Sequence, residues 1–461
     1  MSRTTSYQKL IPTILLSATL LSACGDEDFT SPTDGGLADA AGKADVAMPT
    51  DAPPPITPTD GGGDTFTNGD GADAGAPPTA FAPKGIVVLH NNEYTTTSVS
   101  ISDLTGTKRL DDCIHTGSTM AGLTTALSGN VYLPTTPLPS GEIALIDSST
   151  EVVTFLDPAT CSVKRQVRVG PSANKVFPQD FLWTSSDQAY VSRNGANPTP
   201  TPAPGDFDEG NDILIVNPLT GALQGRIDLE GGTTPQADAT FRAKPSQMAM
   251  LQGKVFVALN NIANGLGAKG GNGRIAVINP VTNRVAETIE FAGVRNCGAI
   301  TVAGPTELMV ACNGDYAADQ KQIDFSGVVL FNSSTKETTV VRAGPFGEPV
   351  NNGQVAASGK RFFAATYGEF MNPAKPSKLW TGTFQGEPPS SPFSGVMDGD
   401  IGSLLLHPTM QKLYVADAFV GADMIPKVRV LDISTAPPFA QAPSIPVGAK
   451  NKFPVRGLAW F

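Results

Sequence analysis

The chain has few of the residues that most often carry catalysis, metal binding or nucleic-acid recognition. Its 461 residues include three histidines, three tryptophans and five cysteines, and only 16% of them are charged. The 43 acidic residues outnumber the 32 basic ones, which gives a net charge of −11. Because an acidic chain repels phosphate, we do not expect nucleic acid as a partner. Three histidines so placed cannot build a zinc-protease motif, and the sequence predicts no catalytic residue, no metal and no cofactor.

An apolar run from Leu10 to Leu21 follows two basic residues near the N-terminus. It is too short to span a bilayer and is typical of a secretory signal over residues 1–23. The residues that end it, Leu21-Ser22-Ala23-Cys24, resemble a bacterial lipobox. That resemblance implies cleavage before Cys24, lipidation of its thiol and membrane attachment through the lipid. Because Gly25 rather than Asp follows the cysteine, the resemblance favours the outer membrane of the cell envelope. It does not distinguish the periplasmic side from the cell surface. The alternative is an ordinary signal peptide with a chance cysteine.

Residues 24–83 differ in composition from the rest of the chain. Gly, Pro, Asp, Thr and Ala dominate, and the segment holds eleven acidic residues but a single basic one, Lys43. Apolar residues are too sparse to close a core, so we expect a disordered linker. The acidity of the protein therefore belongs mainly to this tether, which would hold the folded part away from the membrane.

Two short strings recur along the remainder of the chain. The first is Tyr190-Val-Ser-Arg-Asn194, with further copies at Phe256–Asn260, Met309–Asn313 and Tyr414–Asp417. The second is four mostly apolar residues, an Asp or Asn, and a Thr three positions on, as in Ile275-Ala-Val-Ile-Asn-Pro-Val-Thr282. Its Asp or Asn markers stand at the following positions: Asp103, Asp157, Asn217, Asn279, Asn332 and Asp432. The last interval is about twice the others, so one unit near Leu379–Thr383 has lost its marker and the count is seven.

Within each unit the pattern is short β-branched and aromatic runs broken by Gly, Pro, Asn and Ser, without helical periodicity. These repeats resemble the YVTN-type β-propeller family over residues 84–461. We therefore predict an all-β, seven-bladed β-propeller of four-stranded antiparallel blades. The folded part begins with a second strand at Gly85–His90 and ends with a first strand at Pro454–Phe461. The C-terminal strand should thus complete the first blade and remove an open edge.

Four cysteines lie in the propeller segment. Cys297 and Cys312 flank a predicted hairpin that turns at Gly304-Pro305, which places them opposite each other across the strand pair. We predict a disulfide between them, the alternative being two buried free thiols. Cys113 and Cys161 belong to adjacent blades, near opposite ends of their predicted strands, and a bond between them follows only by elimination.

The predicted connections between second and third strands are long, at 195–211, 261–273, 314–326, 367–377 and 418–427. Long connections in a compact fold are often functional, and we expect the face that carries them to be the recognition face. Second strands end toward it at Asn194, Asn260, Asn313 and Asp417, which are our candidate ligand-binding residues. Alternatively, these residues only turn the chain.

These features favour a monomeric lipoprotein of the envelope whose propeller is a binding or scaffold module for a protein or carbohydrate partner. The alternative is a hydrolase or lyase of the lactonase kind, with its site at the channel mouth. His90 and His115 could share a metal ion near Glu93 on the elaborated face, but they lack a clear third ligand.

Overall fold

The computed structural model describes residues 82–92, 95–107, 109–171, 176–195, 210–229, 241–263, 269–315, 322–367, 377–385, 390, 401–417, 426–447 and 453–461. The signal, the lipobox and all of the tether except residues 82–83 lie outside these ranges. The described residues form eight antiparallel sheets, and seven of these are the blades of a β-propeller. The all-β, seven-bladed prediction is therefore confirmed. Among the described residues no helix is long and apolar enough to cross a bilayer.

We number the blades in chain order and list their strands from the first to the fourth. Blade 1 has β29 (Val455–Trp460), β1 (Gly85–Asn92), β2 (Thr96–Asp103) and β3 (Arg109–His115). Blade 2 has β4 (Val131–Tyr132), β5 (Ile143–Asp147), β6 (Val152–Leu156) and β7 (Val163–Arg168). Blade 3 has β8 (Pro178–Trp183), β9 (Ala189–Arg193), β10 (Asp212–Val216) and β11 (Leu223–Asp228). Blade 4 has β13 (Pro245–Leu251), β14 (Lys254–Leu259), β16 (Asn272–Asn279) and β17 (Arg284–Arg295).

The remaining blades follow the same order. Blade 5 has β18 (Cys297–Val302), β19 (Glu307–Cys312), β20 (Gly327–Asn332) and β21 (Thr338–Arg342). Blade 6 has β22 (Val350–Ser358), β23 (Arg361–Thr366) and β24 (Leu379–Thr383). Blade 7 has β25 (Ile401–Leu406), β26 (Lys412–Asp417), β27 (Lys427–Asp432) and β28 (Ala440–Pro446). Outside the blades, β12 (Phe241–Arg242) pairs with β15 (Ile262–Ala263), and two 3₁₀ helices span Gln322–Phe325 and Gly344–Phe346.

The second and third strands are buried along nearly their whole length, as in Ala189–Arg193 and Asp212–Val216. Each blade packs between two neighbours, so both faces of these strands need apolar side chains and the sequence reads as continuous apolar runs. Fourth strands lie at the rim and are only partly buried, as in Leu223–Asp228. First strands of successive blades contact each other from β8 through β29 and surround the centre of the ring.

The recurring Asp or Asn marker is a turn residue between the third and fourth strands. In blade 3, Asn217 Oδ1 accepts the backbone N–H groups of Leu219 and Thr220, both at 2.9 Å. Such an Asx turn reverses the chain without leaving its amides unpaired. Blade 6 has its third strand at Leu379–Thr383, where the marker is missing from the sequence. The count of seven blades is therefore confirmed, including the unit without its marker.

The C-terminal strand completes blade 1. Strand β29 pairs with β1 in antiparallel register, with Ile86 opposite Trp460 and Val88 opposite Leu458. Trp460 also contacts blade 7, where its ring lies 5.1 Å from that of Tyr414 and its Nε1 donates to Leu406 O at 3.1 Å. The two ends of the propeller segment therefore form one sheet, as the sequence predicts.

Two disulfides join strands within and between blades. Cys297 and Cys312 lie directly opposite each other in β18 and β19 and are bonded. Cys113 in β3 is bonded to Cys161, which lies in the turn between β6 and β7, and their Cα atoms are 5.6 Å apart. This second bond connects blade 1 to blade 2. Cys113 lies toward the end of β3 and Cys161 just before the start of β7, as expected, and they are bonded because the edge of one blade reaches the turn of the next.

Candidate binding face

The propeller has two faces that differ in the length of their connections. One face holds the connections between second and third strands, and we call it the loop face. In blades 3 to 7 these connections are residues 194–211, 260–271, 313–326, 367–378 and 418–426. The hairpin face holds the first-to-second-strand hairpins and the third-to-fourth-strand turns. The central parts of the long connections, at 196–209, 264–268, 316–321, 368–376 and 418–425, lie outside the described residues. Their bases are described, and these are the candidate site.

Asn194, Asn260 and Asn313 each follow the last residue of a second strand on the loop face. Their backbone N–H groups donate to Phe177 O, Lys244 O and Asn296 O respectively, each at 3.1 Å. These three acceptors precede first strands and have φ angles of 46°, 46° and 55°. Left-handed backbone is costly for residues other than glycine, so these positions are held by their surroundings. The same local structure therefore repeats around the rim.

The side chains of the same residues connect neighbouring blades. Asn194 Nδ2 donates to Asn260 Oδ1 at 3.0 Å, and Asn260 Nδ2 donates to Asn296 Oδ1 at 2.8 Å. The chain of amides thus runs from blade 3 through blade 4 to the start of blade 5. Asn313 Nδ2 donates to Tyr367 Oη at 3.0 Å, which links blade 5 to blade 6. The amides do more than turn the chain, because each one binds the adjoining blade.

Asp417 occupies a different position from the three asparagines. It is the last residue of β26, not the residue after a second strand, so its counterpart in blade 3 is Arg193. Its buried carboxylate forms an ion pair with Arg429. In blade 3 the ion pair joins Arg193 Nε to Asp212 Oδ1 at 2.7 Å. Asp417 therefore ends its second strand as predicted but lies one residue before the position that the three asparagines occupy, because its repeat string is one residue shorter.

A buried carboxylate joins three blades near the centre of the ring. Asp180, in β8, accepts hydrogen bonds from Thr135 N at 3.0 Å, Thr135 Oγ1 at 2.7 Å and Met248 N at 2.8 Å. Burial raises the pKa of Asp180 above its ordinary value. In the next blade Gln247 Oε1 accepts Ile300 N at 3.2 Å. Sequence reasoning missed both residues, because each follows another polar residue near the start of its first strand and nothing in the sequence distinguishes the two.

The histidines of blade 1 have separate environments. His90 is fully buried, and its Nδ1 lies 3.1 Å from Phe453 O, whereas His115 Nδ1 lies 2.7 Å from Thr116 O. Glu93 lies outside the described residues. Within the described ranges, no group of three or more His, Cys, Asp or Glu side chains is placed to hold a metal ion.

Comparison with known proteins places the chain by fold. No family model matches it, and no curated protein sequence does. Among solved structures, a protein from Lactobacillus plantarum matches with a TM-score of 0.51 and 11% identity, over 82% of this chain and 100% of that one. A putative 6-phosphogluconolactonase from Bacteroides fragilis matches with a TM-score of 0.50 and 11% identity, over 84% of this chain and 100% of that one. At such identity the likeness concerns the β-propeller fold alone.

Proposed function

We propose that this protein is a lipid-anchored binding module of the bacterial envelope, and that its recognition surface is the loop face. The carrying observation is where the tether joins the ring. Lys84 N donates to Phe461 O at 2.8 Å, and Gly85 pairs with Asp103, the residue that begins a turn of the hairpin face. The first described residues of the propeller segment therefore lie at the hairpin face, and β1 runs from there to the loop face. A module attached on one side presents the other to its partner.

The bases of the long connections support this proposal. The Asn194–Asn260–Asn296 chain and the buried Arg193–Asp212 pair hold the loop-face rim in one geometry. A rigid rim lowers the ordering cost that binding would otherwise incur. The roles we propose for Asn194, Asn260 and Asn313 are accordingly to position the loops, with any direct ligand contact coming from the connections they carry.

The partner we propose is a protein or a carbohydrate, bound by a monomeric propeller held near the outer membrane. Most of the chain's net charge lies in the tether, so the propeller brings little net charge to recognition. Association should therefore depend only weakly on ionic strength.

Photo-cross-linking in cells tests the proposed face. A photoreactive amino acid at Asn92 or Asp324, both exposed on the loop face, is expected to capture a discrete partner. The matched positions Met410 and Thr105, exposed on the hairpin face, should capture none. Adducts that form only from Met410 or Thr105, or equally from both faces, would contradict recognition on the loop face.

A further inference from the structure

An open pocket of about 510 Å³ lies on the hairpin face, between blades 3 and 4. One wall is the 184–188 hairpin of blade 3 together with Gln224, and the other is Pro280 and Val281 in the Asx turn of blade 4. The buried Tyr190 hydroxyl donates to Asn283 and ties the same two blades together. The position of the pocket, on the face opposite the proposed recognition loops, makes it a separate site.

The polar side chains of the pocket are held by one another. Thr184 Oγ1 donates to Gln188 Oε1 at 3.0 Å, Ser185 Oγ donates to Asp187 Oδ1 at 2.8 Å, and Gln224 Nε2 donates to Asp187 O at 3.1 Å. Within the described part of the chain, these bonds leave Gln188 Nε2, Asp187 Oδ2 and Gln224 Oε1 without a protein partner. The pocket therefore offers an amide donor, a carboxylate oxygen and an amide acceptor, and one hydrogen bond holds each of the three side chains.

The opposite wall of the pocket has an apolar residue, Val281, at a turn position where the fold does not require an apolar side chain. Val281 is 89% exposed at the tip of its turn. The equivalent turn position is Ser334 in blade 5 and Ser434 in blade 7, so a polar residue serves the turn equally well. Leu219 occupies it in blade 3 and is also exposed, but it does not line the pocket. An exposed valine beside unpaired polar groups suits a ligand that has both an apolar surface and hydrogen-bonding groups.

We propose that this pocket binds a neutral saccharide. Sugar hydroxyls both donate and accept, so they can pair with the Asp187 carboxylate and with the Gln188 and Gln224 amides together. The C–H face of a pyranose ring can cover Pro280 and Val281 and remove their apolar surface from water. Asp187 disfavours a phosphorylated or carboxylated ligand, because two negative charges would lie close together.

Binding of three neutral trisaccharides, maltotriose, cellotriose and chitotriose, to the full-length protein tests the proposal by titration calorimetry. At least one should bind saturably, and Asp187→Ala and Val281→Ser should each weaken it about tenfold, as loss of one ligand contact predicts. Leu219→Ser is the matched control: it makes the same kind of change in the neighbouring turn, outside the pocket, and should leave affinity unchanged. All variants change exposed residues, so their melting temperatures should equal that of the wild type.

Three results would overturn the proposal. The first is that none of the trisaccharides binds. The second is that binding is unaffected by Asp187→Ala and Val281→Ser. The third is that trialanine binds with equal affinity and competes for the site, which would make the pocket a peptide site.

Discussion

Removal of residues 454–461 is expected to abolish cooperative folding of the propeller. This deletion removes β29 and leaves β1 as an unpaired edge beside blade 7. It also removes the buried side chains Val455, Leu458 and Trp460. Burial of one large apolar side chain is worth roughly 1.5–3 kcal/mol, so the loss approaches the 5–15 kcal/mol that is typical of a whole domain. Thermal unfolding followed by circular dichroism measures the effect.

Trp460→Ala provides a graded control for this deletion. It keeps the strand but removes the ring that packs on Tyr414 and the Nε1 bond to Leu406 O. A loss of about 3–5 kcal/mol is expected, with a cooperative transition retained. A truncated protein that unfolds sharply within a few degrees of the full-length form would show that the C-terminal strand does not close the ring.

Acidification is expected to lower the stability of the propeller by protonating His90, which lies in β1 beside the C-terminal strand β29. The ring is fully buried in β1, and desolvation lowers its pKa to about 4, although the hydrogen bond to Phe453 O and the charges of Asp111 and Asp112 act in the opposite direction. Its Nδ1 donates to Phe453 O, while Nε2 is buried without a hydrogen-bond partner in the described structure. A proton added to Nε2 would therefore place a charge in a site that cannot solvate it.

The sign of this effect follows from the two pKa values. The unfolded chain binds a proton at His90 below about 6.5, whereas the folded protein does so only near 4. Stability from this residue is thus complete above pH 6.5 and declines as the pH falls to 4, by about 3 kcal/mol in total. Urea unfolding of the wild type and of His90→Asn at several pH values measures this contribution. The carboxylates titrate in both proteins, so the difference between them is due to His90. Equal pH dependence in the two proteins would contradict this account.

The fold could be predicted from sequence because its determinants are local and repeated. Asn217 and its equivalents bond to backbone two and three residues away, so the turn chemistry is visible in one short string. Cys297 and Cys312 face each other across a short hairpin, and symmetry about its turn was enough to pair them. Blade 6 lacks the Asp or Asn marker, so its presence is predicted only from the double-length interval between markers.

The candidate site was less predictable because its contacts join different blades. Asn194 and Asn260 are recognisable as strand-end amides, but their mutual hydrogen bond depends on how blades 3 and 4 pack. Thr135 reaches Asp180 and Met248 across three blades, and no repeated string contains that contact. Cys113 and Cys161 likewise meet because adjacent blades lie edge to turn. Sequence spacing carries no information on these distances.

The mass of the mature N-terminal peptide tests the central claim, that a lipid on Cys24 and the tether that follows it hold the propeller at the membrane. Protein purified from the membranes of its own cells would be digested, and its N-terminal peptide analysed by mass spectrometry. We expect a peptide that begins at Cys24 and carries a diacylglyceryl group, and Cys24→Ser should yield an unlipidated precursor. A mature protein that begins elsewhere, or that begins at Cys24 with a free thiol, would contradict the tethered module.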